Sequence, residues 1–124
     1  MTETGVVIDD NLDPIFWHLP PGRTAGSIPD TRVLWDVIWE NREILKGIAH
    51  SHPGSGIPSP SHIDLTTFKA IEQALGRSLV WWITSADSMI VIASITPFDY
   101  RWVPVPKEEE RPWAEDLRKI SAAP

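Results

Sequence analysis

The residues with chemistry to offer fall in one stretch of the chain. His50-Ser51-His52-Pro53 is followed by the loop Gly-Ser-Gly-Ile-Pro-Ser-Pro and then by Ser61-His62-Ile63-Asp64. His50 and His52 lie at the end of a predicted strand. Side-chain alternation puts both rings on one face, about 6.5–7 Å apart at the backbone. Two imidazoles placed that way can converge on one ion at about 2.0–2.1 Å each. Asp64 falls in the first turn of the next predicted helix, where the positive end of the helix dipole favours a carboxylate. It is the candidate third ligand. Two His, one carboxylate and an open position form the donor set of catalytic zinc, which acidifies water to a pKa of about 7 and polarises a carbonyl. Ser61, one helical turn before Asp64, is placed to donate its hydroxyl to an oxyanion.

Each half of the pattern is weak alone. A lone His-x-His pair is common, and Ser-x-x-Asp is also the capping box by which helices start. The conjunction is the signal: strand end, His-x-His-Pro, Pro/Gly/Ser loop, Ser-x-x-Asp, helix. His62 reads as an exposed residue in the cap, and His18, next to Trp17 on a strand, as a satisfied structural histidine. The chain has no cysteine, which excludes disulfides, thiolate ligands and cysteine nucleophiles. There is no phosphate-cradling glycine loop and no serine-hydrolase elbow.

The elements that must hold these residues are legible in outline. Val6 to Ile8 is a β-branched run, and Ile15 to Leu19 reads as a second strand closed by Pro20-Pro21-Gly22. A helix capped by Asp30 or Thr31 carries Leu34, Trp35, Ile38, Trp39 and Leu45 on one stripe, and Lys46-Gly47 is its predicted end. Ile48 to His52 is the strand that bears the histidines, stopped by Pro53. The second helix runs from Ser61–Asp64 to Gly76, with Leu65, Phe68, Ile71, Ala74 and Leu75 apolar. Leu79 to Thr84 and Met89 to Ile95 read as a hairpin about Ser85–Ser88, and Tyr100 to Val103 as a further strand. A short helix from Pro112 presents Trp113, Leu117 and Ile120. This order predicts a two- or three-layer α/β domain around a mixed sheet. The division expected is a domain over 1–106 and a charged C-terminal tail over 107–124 with a short docking helix.

With 124 residues the chain fits one domain. The seven Trp are expected to fill its core. A formal charge of −6 with no Lys/Arg cluster excludes a basic nucleic-acid footprint. No apolar run is long enough to cross a bilayer, and the opening Met1-Thr-Glu-Thr-Gly has no secretory pattern. A cytoplasmic protein is therefore expected, with neither nucleic acid nor membrane as partner. A His-x-His amidohydrolase would need a larger barrel, and a zinc deaminase would want cysteine ligands.

The stretch Gly47-Ile-Ala-His-Ser-His-Pro-Gly, with Ser61 and Asp64 downstream, resembles the JAMM motif of the MPN/JAB domain metalloproteases. The likeness covers roughly residues 3–95. It implies a cytidine-deaminase-like three-layer α/β sandwich, a mixed sheet flanked by helices. It implies Zn2+ held by His50, His52 and Asp64, with Ser61 assisting the oxyanion. It also implies hydrolysis of a peptide or isopeptide bond, often at the tail of a ubiquitin-like or sulfur-carrier protein. Short prokaryotic and phage members resemble this chain in length. The loop between His52 and Asp64 is one residue longer than in the family, a change that a Pro/Gly loop absorbs. The family's general base is a glutamate on an early strand, and Glu3-Thr4-Gly5-Val6 resembles the start of that strand. Glu3 is thus the candidate base, against the ordinary expectation of a solvated charge near a chain start. Glu40 and Glu43 read as the solvated face of the first helix. Without a base the domain would be a catalytically weak or inactive interaction module.

Overall fold

The computed structural model describes residues 1–123. Its strands are β1 (Gly5–Asp9), β2 (Pro14–His18), β3 (Leu45–Ser51), β4 (Val80–Thr84), β5 (Met89–Thr96) and β6 (Asp99–Pro104). Its helices are α1 (Arg32–Glu40), α2 (His62–Leu75) and α3 (Pro112–Ala122). The strands form one mixed sheet in the order β2-β1-β3-β4-β5-β6. Only β3 and β4 run parallel; the other neighbours are antiparallel. That single parallel pair follows from α2, because a parallel connection must cross back over the sheet.

Alternation along the strands sorts the core into two faces. Val7, Ile48, Trp81, Ile83, Ile90 and Ile92 pack against Leu34 and Ile38 of α1 and Phe68 and Ile71 of α2. Val6, Ile8, Ala49, Trp82 and Met89 pack on the other side against Trp113, Ala114 and Leu117 of α3. The fold is therefore α+β, with helices on both faces of the sheet, and residues 112–122 form a layer of it. Among the described residues, no helix is long and apolar enough to cross a membrane.

Two expectations need correction. The first helix stops at Glu40, not at Lys46-Gly47. Asn41 caps it, with its backbone N–H directed at the carbonyls of Val37 and Trp39. Leu45 and Lys46 already belong to β3, and Glu43 lies in the intervening turn. The seven-residue step from Ile38 to Leu45 mimics a helical stripe, but Leu45 is buried as a strand residue. Gly47 has a different role from helix termination. A Cβ there would stand 1.5 Å from the Val80 carbonyl oxygen, so only glycine lets β4 approach β3 at that register.

The tryptophans also divide differently from expectation. Trp81, Trp82 and Trp113 are buried, whereas Trp39 and Trp102 are exposed. Trp81 stacks on Phe68 at 4.1 Å between ring centroids. Its indole N–H donates to Glu72, which is itself 3% exposed. The Leu79 N–H and the Tyr100 hydroxyl donate to the same carboxylate. Three donors compensate the desolvation of Glu72. Burial and the bond to Glu72 push the Tyr100 phenol well above its ordinary pKa.

Candidate metal centre

Four elements meet at one end of the sheet, on the α1/α2 face. β3 delivers His50, and His52 follows directly after it. The His52 backbone N–H donates to the Thr84 carbonyl at 2.7 Å, which fixes the strand end beside β4. β1 is paired antiparallel with β3, Gly5 opposite His50. Ser51 N–H donates to the Thr4 carbonyl, and this brings Glu3 level with His52. The loop from Pro53 then returns the chain to α2, whose first turn carries Asp64.

Asp64 is held by a reciprocal cap. Its backbone N–H donates to Ser61 Oγ at 3.0 Å, and the Ser61 N–H donates to Asp64 Oδ2 at 2.8 Å. The capping-box reading of Ser-x-x-Asp is thus realised. The box starts the helix and also aims the carboxylate at the histidines. Ser61 itself is exposed at the mouth of the site.

Glu3, His50, His52 and Asp64 each present one ligand-type atom within 4.8 Å of all the others, a group that can hold a metal ion. His50 Nε2 and His52 Nε2 are 3.1 Å apart. Asp64 Oδ1 is 3.2 Å from the first ring nitrogen, and Oδ2 is 3.1 Å from the second. These spacings are close to the roughly 3.3 Å edge of a tetrahedron built with bonds of about 2.0–2.1 Å. Protons alone satisfy this geometry poorly. A ring nitrogen carries either a proton or a lone pair. If both Nε2 atoms donate to Asp64, one to each oxygen, the two N–H groups stand against each other with their nitrogens only 3.1 Å apart. A cation at the common centre removes the conflict, since both lone pairs and the carboxylate then point at positive charge. The donor set and its spacing therefore fit a divalent metal ion.

Glu3 stands slightly apart. Its Oε1 is 3.6 Å from His52 Nε2 and 3.9 Å from His50 Nε2, and the residue is 5% exposed. The charge near the chain start is buried, not solvated. Backbone bonds hold it there: Glu3 N–H donates to the Thr24 carbonyl, Thr2 N–H donates to the Ser121 carbonyl, and Ser121 Oγ donates to the Thr2 carbonyl. Arg23 donates to Thr4 Oγ1 at 2.7 Å.

The electrostatics follow from this packing. Burial raises the pKa of Glu3; the charges of His50 and His52 pull it back in part, and Asp64 adds to the rise. Burial also disfavours the charged forms of His52 and Asp64, but their mutual contact wins. Hydrogen bonds from His50, His52 and Ser61 hold Asp64 far below the usual carboxylate range. The bond and charge of Asp64, then the charge of Glu3, raise His52 above its usual value.

The remaining histidines stay outside the cluster. His62 is exposed on the first turn of α2. His18 is buried with Nε2 2.8 Å from the Pro29 carbonyl, to which it donates. Burial lowers its pKa. Glu40 is exposed at the end of α1, remote in role from the four clustered groups.

Sequence reasoning did not single out Ser121, Arg23 or Thr24, which position Glu3. Their contacts span 19 to 119 residues of sequence, so no local spacing marks them. No protein-family model matches this chain, and neither does any curated protein sequence.

Proposed function

We propose that this chain is a zinc metallopeptidase or isopeptidase of the JAMM type, with the cytidine-deaminase-like sandwich of the MPN/JAB domain. The observation that carries the reading is the position of Glu3, a buried carboxylate just beyond the His50–His52–Asp64 set. Its carboxylate stands slightly farther from the rings than that of Asp64, a place that suits proton transfer at the open position.

Zinc bound there would supply a water acidic enough to ionise near neutral pH and a Lewis acid for a carbonyl. The protein's own groups then divide the work. His50, His52 and Asp64 hold the ion, and the Ser61 N–H orients Asp64. Glu3, its pKa raised by burial, accepts a proton at a carboxylate oxygen and returns it to the leaving nitrogen. Ser61 Oγ accepts from the Asp64 N–H, and its own hydroxyl hydrogen remains available to donate to a developing oxyanion. The substrate class proposed is a ubiquitin-like or other protein tail. The non-catalytic alternative depends on a missing base, and the placement of Glu3 argues against it.

The test is metal content followed by turnover. Purified protein should bind one equivalent of zinc and cleave one or more of a panel of ubiquitin-like fusions, and a chelator should stop the cleavage. Absence of stoichiometric zinc binding, or binding that survives His52→Ala unchanged, would overturn the reading.

A further inference from the structure

A cavity of about 490 Å³ opens beside the metal cluster and runs between β1, α2 and the loop that precedes α1. Its size falls within the roughly 300–1,000 Å³ of pockets that enclose small ligands. Glu3, His50 and Asp64 form its polar wall. Its floor is apolar: Leu34, Ile48, Phe68, Ile71 and Trp81, all core residues. The metal cluster therefore stands at the lip of a recess that reaches down to the core, not on a flat groove.

The outer wall is tied to the body of the domain at both ends. The segment from Thr24 to Pro29 is tied at one end by the Glu3 N–H to the Thr24 carbonyl, and at the other by His18 Nε2 to the Pro29 carbonyl. Within it, Thr24 N–H donates to the Ser27 carbonyl and Gly26 N–H to Thr24 Oγ1. Ile28 leans against Gly5, with its Cδ1 3.6 Å from where a glycine Cβ would be. The floor is equally fixed, because Glu72 holds the Trp81 indole and Trp81 stacks on Phe68. Such a recess is preformed and loses little entropy on filling.

We infer that this recess is the specificity pocket of the site and takes a bulky aliphatic or aromatic side chain of a residue adjoining the scissile bond. The inference rests on the peptidase reading and narrows its substrate class. A tail with only glycine at the cut would reach the cluster but leave the recess unfilled. A Leu or Phe side chain would fill it while its backbone carbonyl lies at the metal cluster.

The experiment has two arms on the full chain. In the first, N-acetyl-leucinamide, N-acetyl-phenylalaninamide and N-acetyl-glycinamide are titrated into metal-free protein and followed by NMR. The leucine and phenylalanine amides should shift resonances of Ile28, Leu34 and Ile48, and the glycine amide should not. Ala25→Trp, on the exposed lip of the recess, and Leu34→Phe, on its floor, should each weaken that binding. In the second arm, zinc-loaded protein cleaves a mixed peptide library. Leu or Phe should be favoured over Gly beside the cut by about 10–100-fold, the discrimination an apolar pocket supplies. Cleavage without that preference, or binding of the leucine and phenylalanine amides that both variants leave unchanged, would overturn the inference and spare the peptidase reading. Amide binding at the recess with no cleavage of any peptide or fusion would overturn the peptidase reading, and with it the scissile-bond assignment.

Discussion

Glu3 Oε1 lies 3.6 Å from His52 Nε2, farther than the 3.1 Å that separates His52 Nε2 from Asp64 Oδ2. The two carboxylates share one pair of rings yet differ in depth and partners. Asp64 is hydrogen-bonded and strongly acidic, while Glu3 is buried and made less acidic. On the proposed reading, this divergence of environment separates a ligand from a base.

Glu3→Gln should therefore leave zinc binding almost intact and slow turnover by about 10²–10⁴-fold, the usual contribution of a general base. Metal content by mass spectrometry and single-turnover cleavage measure the two separately. Loss of zinc in this variant would make Glu3 a ligand.

Zinc should stabilise the folded chain. At a free concentration a hundred times its Kd the gain is about 2.7 kcal/mol, a rise in Tm on the order of 10 °C for a domain of this size. His50→Ala and Asp64→Asn should abolish most of that rise. Thermal unfolding with and without zinc tests it, and equal rises in all three proteins would contradict the site.

The affinity for zinc should climb with pH. Burial alone would lower the pKa of His52, but Asp64 and Glu3 raise it. In the metal-free protein that shift adds stability which is full below the ordinary value of 6.5 and is lost as pH rises through the higher folded value. Asp64 works in the opposite window: its lowered pKa adds stability above 3.8 that disappears in stronger acid. Zinc needs the neutral imidazole, so proton competition should persist above the ordinary histidine range. Competition titrations from about pH 6 to pH 8.5 should show a steady gain in affinity. A flat profile would mean that His52 is not a ligand.

Gly47→Ala should cost at least about 3 kcal/mol, because the added methyl would overlap the Val80 backbone and force β3 from β4. Urea denaturation measures it. A loss below about 1 kcal/mol would show that the strands part easily there.

Tyr100→Phe removes one of three donors to the buried Glu72 carboxylate and should cost about 1.5–3 kcal/mol, the range for a bond to a charged acceptor. The same denaturation experiment applies. A neutral result would mean that Glu72 is held well enough by Leu79 and Trp81.

Much of this was legible in the sequence because strand and helix periods differ. The β-branched run Val6–Ile8, the stretch Ile48–His52 and the apolar run Leu79–Thr84 match β1, the end of β3 and β4. Gly76, with a φ of 70°, ends α2 where the sequence predicts. The His-x-His and Ser-x-x-Asp pieces were legible because their spacing is local. Two kinds of information were not. The end of α1 was hidden, since Leu45 continues the helical stripe by coincidence of spacing. Buried polar residues were hidden too. Glu72 follows Ile71 and lies four residues after Phe68, on the apolar face of α2, yet only the fold brings Trp81 and Tyr100 to it. Arg118 is the same case on α3, donating to Glu110 and to the Ser85 and Ser88 carbonyls. A charged residue in register with an apolar stripe is the one trace such networks leave.

On the proposed reading Asp64 has two duties, as helix cap and as metal ligand, and this bears on how relatives of this chain would diverge. A lineage that abandoned the metal would still need that aspartate to begin its helix, so it would persist under selection for folding alone. Its presence in a homologue would then say little about activity. The imidazoles and Glu3 cap no helix, and on the proposed reading their drift would be the earlier sign of a domain turned from chemistry to another use.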